Sequence, residues 1–108
     1  MENLIEVSHK IKLPASSIIM LEACINYTYI HLSDGKIKIV AYHLKKIEGL
    51  LNECSSFVRP NRNVIVNLDF LTKYQDGFLI LNHKKVAVSR RRMKQIIDKV
   101  TPYQTLFY

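Results

Sequence analysis

The sequence predicts a mainly β fold of short strands with two helices. Runs rich in β-branched and aromatic residues recur along most of the 108-residue chain. Two Asp-Gly pairs, Asp34-Gly35 and Asp76-Gly77, each stand between two such runs, as hairpin turns do. Apolar residues at helical spacing occur in two segments separated by strand patterns, whereas a helix-turn-helix joins its helices by a short turn. We therefore expect no helix-turn-helix.

The first part of the chain contains four strand patterns, at residues 10–13, 17–22, 26–32 and 36–40. Asp34-Gly35 forms the expected turn between the last two. Because the runs follow one another closely, we expect all four to pair in chain order as an antiparallel meander.

A short amphipathic helix is predicted in "LKKIEGLLNE". Its apolar residues Leu44, Ile47, Leu50 and Leu51 are spaced one to four residues apart and define one helical face. Gly49 lowers the helix propensity of this segment, so we expect the helix to be short.

The second half predicts further strands and a final helix. Strand patterns occupy residues 57–59, 63–68, 71–74, 78–82 and 85–88. Met93, Ile96, Ile97 and Val100 then repeat at helical spacing, with Ser89 as the expected N-cap and Pro102 as the expected end of the helix. The tail "PYQTLFY" is interpreted as either docked on the sheet or disordered.

Length and composition predict one soluble, cytoplasmic domain covering residues 1–108. The chain contains no apolar run long enough to cross a membrane, and its N-terminus lacks the apolar region of a signal peptide. Cys24 and Cys54 lie in apolar stretches outside any CxxC pair, so we expect buried thiols. The four histidines are scattered, and we predict neither a metal site nor a cofactor.

Positive charge is concentrated in the second half of the chain. Residues 1–54 contain six Lys/Arg and six Asp/Glu, whereas residues 55–108 contain ten Lys/Arg and three Asp/Glu, within a formal net charge of +7. This asymmetry predicts a polyanionic partner, because neutralising phosphates releases condensed counterions. A basic face that only interacts with solvent is the alternative.

Three consecutive arginines, Arg90–Arg92, fall at the predicted start of the last helix. Cations are unfavourable there, because the helix dipole and the unpaired N–H groups already make this end positive. The same groups could all donate to one phosphate, so the cluster favours a phosphate-binding function. The alternative is three arginines spread into solvent.

The stretch "FVRPNRNVIVNLDFL" combines polar side chains with a core-like strand. Pro60 predicts an irregular connection, and Val64–Val66 predict a strand buried on both faces that holds this loop. Asn61, Arg62 and Asn63 are expected to project from it. Arginine pairs with guanine and asparagine with adenine in the major groove, although asparagines also simply turn the backbone.

Over residues 10–98 the chain resembles the LytTR DNA-binding domain of bacterial transcription regulators. The resemblance follows the order "NYTYIHLSDGK", "LKKIEGLL", "FVRPNRNVIVNLDFL", "DGFLIL" and "KVAVSRRRMKQI". The chain keeps the family's Phe57, Arg59, Arg62, Val66, Asn67, Val88, Ser89 and Arg90. It departs with Asn61 where the family usually has His, and with Asn63 where it has Ser.

The resemblance implies about ten strands in small antiparallel sheets, with loops that enter successive major grooves of double-stranded DNA. It implies base contacts by Asn26, Arg62 and Arg91. It implies phosphate contacts by Tyr27, Asn61, Asn63, Ser89, Arg90, Arg92 and Lys94. It also implies transcription regulation by two copies, as a homodimer on a tandem repeat, with the DNA bent toward the protein.

Most family members carry a receiver domain ahead of this module. Because the first predicted strand begins about ten residues after Met1, we expect no receiver domain in this chain. The interpretations are a free-standing regulator controlled by a separate protein, or a piece of a longer one. Tyr103, Phe107 and Tyr108 could form a dimer contact or pack on the domain's own sheet.

Two other functions are open to a basic β domain. One is binding of RNA or single strands by stacking on Tyr27, Tyr29 or Phe78, where Tyr27 and Tyr29 share a strand face that is either core or solvent. The other is a nuclease using Asp69 or Asp76. The dispersed acidic residues do not favour catalysis, and we expect no enzyme.

Overall fold

The computed structural model describes residues 4–8 and 10–104, and it has the predicted mainly β architecture. The strands are β1 (Leu4–Ser8), β2 (Ile11–Pro14), β3 (Ile18–Cys24), β4 (Tyr27–Leu32), β5 (Ile37–Val40), β6 (Phe57–Asn61), β7 (Val64–Asn67), β8 (Leu71–Gln75), β9 (Phe78–Leu81) and β10 (Lys84–Ala87). The α-helices are α1 (Leu44–Leu50) and α2 (Met93–Gln104). Short 3-10 turns lie at Ala15–Ser17, Leu68–Phe70 and Arg90–Arg92.

The strands form three antiparallel sheets. The largest has the order β5-β4-β3-β7-β6, a second contains β1 and β2, and a third has the order β10-β9-β8. Strands β3 and β7 lie at the centre of the largest sheet although their residues are far apart in the chain. The pairing of Leu21 with Ile65 is an example of this long-range contact.

The middle of the largest sheet is buried on both faces. One face packs against β1, β2 and α1, and the other packs against the three-stranded sheet and α2. Successive residues of β7 therefore enter different cores, with Ile65 on the first and Val66 on the second. This arrangement explains the continuous apolar run Val64–Val66 and confirms the prediction of a strand buried on both faces.

The predicted four-strand meander is wrong at its first strand. β2 pairs with β1, a strand that the sequence patterns did not predict, so the chain's first strand begins at Leu4. Both edges of β3 are occupied, by β4 and β7, and β2 therefore has no free edge on β3 to pair with. The 3-10 turn Ala15–Ser17 separates β2 from β3, and Ser17 Oγ donates to Pro14 O across it at 2.7 Å.

Strand β6 extends further than predicted. Arg59, Pro60 and Asn61 belong to the strand, and only Arg62-Asn63 form the turn to β7. Since β6 is an edge strand, the missing N–H of Pro60 removes no central ladder bond. The pairing of β6 with β7 is irregular there, because its register shifts between Val58 and Asn61. The irregularity predicted at Pro60 is therefore present, but it lies within a strand and not in a loop.

Helix α2 does not end at Pro102, which lies inside it. The proline removes one backbone hydrogen bond, but Tyr103 packs on the second core and continues the buried stripe of Ile96 and Val100. This packing offsets the lost bond.

Helix α1 is short, as predicted. Phe107 and Tyr108 lie outside the described residues.

The Asp-Gly turns are where they were predicted. Asp76 and Gly77 both have positive φ, at 53° and 81°, as a tight hairpin turn between β8 and β9 requires. Gly35, with φ 89°, lies in the turn between β4 and β5. Cys24 and Cys54 are both half-buried, whereas the sequence predicted buried thiols.

Candidate nucleic-acid interface

Three loops meet at one end of the largest sheet. Ala23 N donates to Asn63 O at 2.8 Å, so the turn Arg62-Asn63 lies beside the end of β3, next to the turn Ile25-Asn26. Ser89 N donates to Pro60 O at 2.9 Å, which places the segment after β10 alongside β6. We call this surface the three-loop edge; it consists of Ile25-Asn26, Arg62-Asn63 and Ser89–Arg92.

The first loop is the tight hairpin turn between β3 and β4, where Cys24 pairs with Tyr27. Ile25 has φ 54° and is 91% exposed. A left-handed conformation is unusual for a β-branched residue and costs about 1–3 kcal/mol. Asn26 is exposed beside it, and Tyr27 is 53% exposed.

The second loop is fixed by Asn61. Asn61 Oδ1 accepts a hydrogen bond from Asn63 N at 2.8 Å, and Asn61 Nδ2 donates to Ala87 O at 2.7 Å. Both polar ends of this half-buried side chain are thus engaged within the protein. Of the three side chains expected to project from the loop, Arg62 and Asn63 are exposed, whereas Asn61 turns back onto the fold.

Arg59 connects the second loop to the rest of the domain. Its guanidinium donates to Glu48 Oε1 and to Arg62 O, both at 2.7 Å. Arg92 Nη1 donates in turn to the carbonyl of Arg59 at 3.0 Å. The Arg59 Nε atom is buried and has no partner among the described residues. The sequence identified Arg59 as a motif residue but did not indicate this bracing role.

The third loop presents the arginine cluster. Arg90–Arg92 form a 3-10 turn that continues into α2, so they do not occupy the first α-helical turn as predicted. Ser89 holds the N-cap position, but its hydroxyl makes no capping hydrogen bond. Arg90, Arg91 and Lys94 are exposed, whereas Ser89 and Arg92 are half-buried.

The three-loop edge is strongly cationic. Residues 84–97 contain six Lys/Arg and no acidic residue, and residues 57–67 contain two arginines and no acidic residue. Glu22 lies on β3, opposite Val64 at the start of β7 and next to the second loop. Its Oε1 atom is 2.6 Å from Nε2 of the buried His31. The resulting positive potential attracts polyanions and raises their association rate.

The sheet face at β4 and β5 is open to solvent. Tyr27 and Tyr29 share it, as predicted, together with the exposed Ile37 and Ile39. A hydrogen bond with the Cys24 thiol raises the pKa of the half-buried Tyr29. Phe78 lies on a different sheet, and the Lys85 ammonium is 4.2 Å from its ring centroid.

Two other kinds of feature do not occur in the described part of the chain. Residues 4–8 and 10–104 contain no group of three or more His, Cys, Asp or Glu side chains able to hold a metal ion. Within the same residues, no helix is long and apolar enough to cross a membrane.

The small antiparallel sheets and the cationic loop edge define a class of β-rich DNA-binding domains that contain no helix-turn-helix. The sequence model of the LytTr DNA-binding domain matches residues 8–101, so the chain belongs to the LytTR family. DNA binding and transcription regulation are the general role that this family implies.

A solved structure has the same fold. It is the LytTr DNA-binding domain of a putative methyl-accepting/DNA response regulator from Bacillus cereus, with a TM-score of 0.73 and 24% sequence identity. The similarity covers 92% of this chain and 95% of that one. No curated protein sequence matches the chain.

Proposed function

We propose that this chain binds double-stranded DNA sequence-specifically and regulates transcription through loops that enter the major groove. The observation that carries the proposal is the three-loop edge, where residues from three distant parts of the chain meet at one end of a rigid sheet. The two cores on either side of β3 and β7 hold the loops in fixed relative positions. Fixed loops lose little conformational entropy on binding, which favours specific recognition.

Asn26, Arg62 and Arg91 are the proposed base contacts. All three are exposed, and each belongs to a different loop. Arginine can pair bidentately with guanine and asparagine with adenine, and each such contact contributes about 1–3 kcal/mol of discrimination. The backbone of Arg62 is held by a hydrogen bond from the Arg59 guanidinium to its carbonyl, which favours a fixed starting position for its side chain.

The proposed phosphate contacts surround these positions and set the register of the protein on DNA. They are Tyr27, Asn61, Asn63, Ser89, Arg90, Arg92 and Lys94. Asn61 and Arg92 have a second role, since Asn61 also donates to Ala87 O in β10 and Arg92 also donates to Arg59 O in β6. Their contribution to DNA binding is therefore partly one of positioning.

The proposal includes two copies on a tandem repeat, because one domain presents only one such edge. Residues 1–108 act in it as one DNA-binding domain without catalytic activity, in the cytoplasm. Control by a separate regulatory protein or by an attached receiver domain is part of the same proposal.

The test is selection from a randomised duplex pool, followed by anisotropy measurements on the recovered sequence. We expect a tandem motif, and we expect Arg62→Ala to lose discrimination at one position of each repeat. Lys36→Ala is the matched charge control, because Lys36 is exposed in the turn at the opposite end of β4. A retained pool identical to the input would overturn sequence-specific binding.

Binding of RNA or single-stranded nucleic acid is the second candidate, favoured by the exposure of Tyr27 next to the cationic loops. Competition between the selected duplex and a single-stranded RNA of equal length distinguishes the two. Stronger competition by the RNA, lost in Tyr27→Ala, would favour the second candidate.

A further inference from the structure

We propose that Ile25 is a specificity-determining residue that contacts the 5-methyl group of a thymine in the major groove. This inference rests on the proposed function and adds a position at which sequence is recognised by an apolar contact. It concerns a residue next to the proposed base contact Asn26, not one of the hydrogen-bonding residues themselves.

The conformation of Ile25 is unfavourable for the isolated protein. Its side chain is 91% exposed, more than any other large apolar side chain in the described residues, and its backbone is left-handed. Glycine and asparagine adopt this conformation with less strain than a β-branched residue. The neighbouring Asn26 is a residue type suited to positive φ, yet the positive φ falls on Ile25. Neither the exposure nor the strain stabilises the fold.

The surroundings of Ile25 indicate the chemistry of its partner. Ile25 is two residues beyond Ala23, whose amide bonds the turn Arg62-Asn63. Among the residues of the three-loop edge, Ile25 is the one aliphatic side chain that is exposed, and arginines dominate the rest. The partner must therefore present a small apolar group within a negatively charged surface. The thymine methyl is the apolar group that duplex DNA displays on its major-groove base edges.

The experiment removes that methyl group without changing hydrogen bonding. Each thymine of the selected duplex is replaced in turn by deoxyuridine, and binding of the full chain is measured by anisotropy. We expect one position of each repeat to lose about fourfold in affinity, the value of one buried methyl-sized group. The Ile25→Ala variant should bind more weakly and show no thymine-to-deoxyuridine difference at that position.

Two variants control for folding and for general loss of apolar surface. Ile25→Gly relieves the backbone strain, so it should melt no lower than the wild type and still lose the methyl effect. Ile37→Ala removes an exposed isoleucine from the other end of the sheet and should keep the methyl effect.

The outcomes separate this inference from the proposed function. If no duplex is selected, the proposed function fails. If a motif is selected but no thymine is sensitive to its methyl group, the Ile25 inference fails while sequence-specific binding stands. A methyl effect that persists in Ile25→Ala also overturns the inference.

Discussion

Asparagine side chains and one guanidinium connect strand ends to each other beside the core. Asn67 is 1% exposed, donates to Ile18 O at 2.9 Å and accepts from Asp69 N at 3.0 Å. It ties the end of β7 to the start of β3. Asn61 and Arg59 do the same for the second loop. Asn67 is the buried one of these residues, and a buried polar group that is paired restricts a core to one arrangement, which suits a site that depends on fixed loops.

Replacing Asn67 should destabilise the domain. Asn67→Ala leaves the Ile18 carbonyl and the Asp69 amide without these partners, and we expect a loss of about 1–3 kcal/mol in the free energy of unfolding. Urea denaturation followed by circular dichroism measures it. Asn52→Ala, at an exposed asparagine, is the control and should change stability little. Equal effects of the two variants would contradict the bracing role of Asn67.

Replacing Arg59 by lysine should weaken sequence recognition although the positive charge is kept. A lysine keeps the charge, but its single ammonium nitrogen cannot replace the two guanidinium nitrogens that donate to Glu48 and to Arg62 O. We expect Arg59→Lys to weaken specific binding by about 0.5–1.5 kcal/mol, mainly through lost discrimination at the base that Arg62 is proposed to contact. Duplexes mutated at that base measure it. Uniform weakening on all duplexes would instead indicate a phosphate contact by Arg59.

At the scale of elements, the third loop covers the edge of β6. The carbonyls of Pro60 and Ala87 accept hydrogen bonds across this contact, from Ser89 N and from the Asn61 side chain. An uncovered edge strand exposes unpaired backbone groups that can pair with other chains. Covering the β6 edge thus protects the sheet and at the same time places the arginine cluster next to Arg62.

Breaking the Asn61 contacts should loosen the second loop. In Asn61→Ala the Asn63 amide loses its acceptor, so we expect its hydrogen exchange to become faster while amides of β3 and β4 remain protected. Exchange followed by NMR measures it. Asn26→Ala is the matched control, because it removes an exposed asparagine from the first loop and should leave Asn63 exchange unchanged. Unchanged exchange in Asn61→Ala would show that the turn holds without this side chain.

At the scale of the whole molecule, charge should govern affinity, whereas the loops govern specificity. Three of the proposed phosphate contacts are cationic, namely Arg90, Arg92 and Lys94. When they bind DNA phosphates, they release counterions condensed on the DNA. We expect a plot of log K against log salt with a slope of about −3 per bound copy, since each neutralised phosphate contributes about −0.9. Binding measured over a range of salt concentrations checks this value.

The same experiment with Lys94→Ala should reduce the magnitude of the slope by about 1, equally for all duplex sequences. Lys36→Ala, at the opposite end of the sheet, should leave the slope unchanged. A slope near zero for the wild type would contradict binding through the phosphate backbone.

Much of the fold was predictable because it depends on local patterns. Strand propensity, Asp-Gly turns and the apolar run Val64–Val66 are properties of neighbouring residues, and each predicted the element found there. The exposure of Arg62 was also expected, because its polar neighbours predicted a loop there, whereas Arg91 came from the resemblance. The sequence did not separate these exposed arginines from Arg59 and Arg92, which are half-buried through contacts with distant residues. Pairing was not predictable in this way. The extra strand β1 and the neighbour of β2 depend on which strand edges are free after folding.

The sequence by itself determined the kinds of element, their order apart from β1, and the excess of positive charge in the second half of the chain. These follow from intrinsic propensity, hydrophobic periodicity and ionisation, which act over a few residues. Only the tertiary structure decided that β3 lies beside β7, that three distant loops share one edge, and that Arg59 braces Arg62. It also decided that Ile25 takes a strained, exposed position. These depend on contacts between residues far apart in the chain, where the packing of two cores around one sheet outweighs local preference.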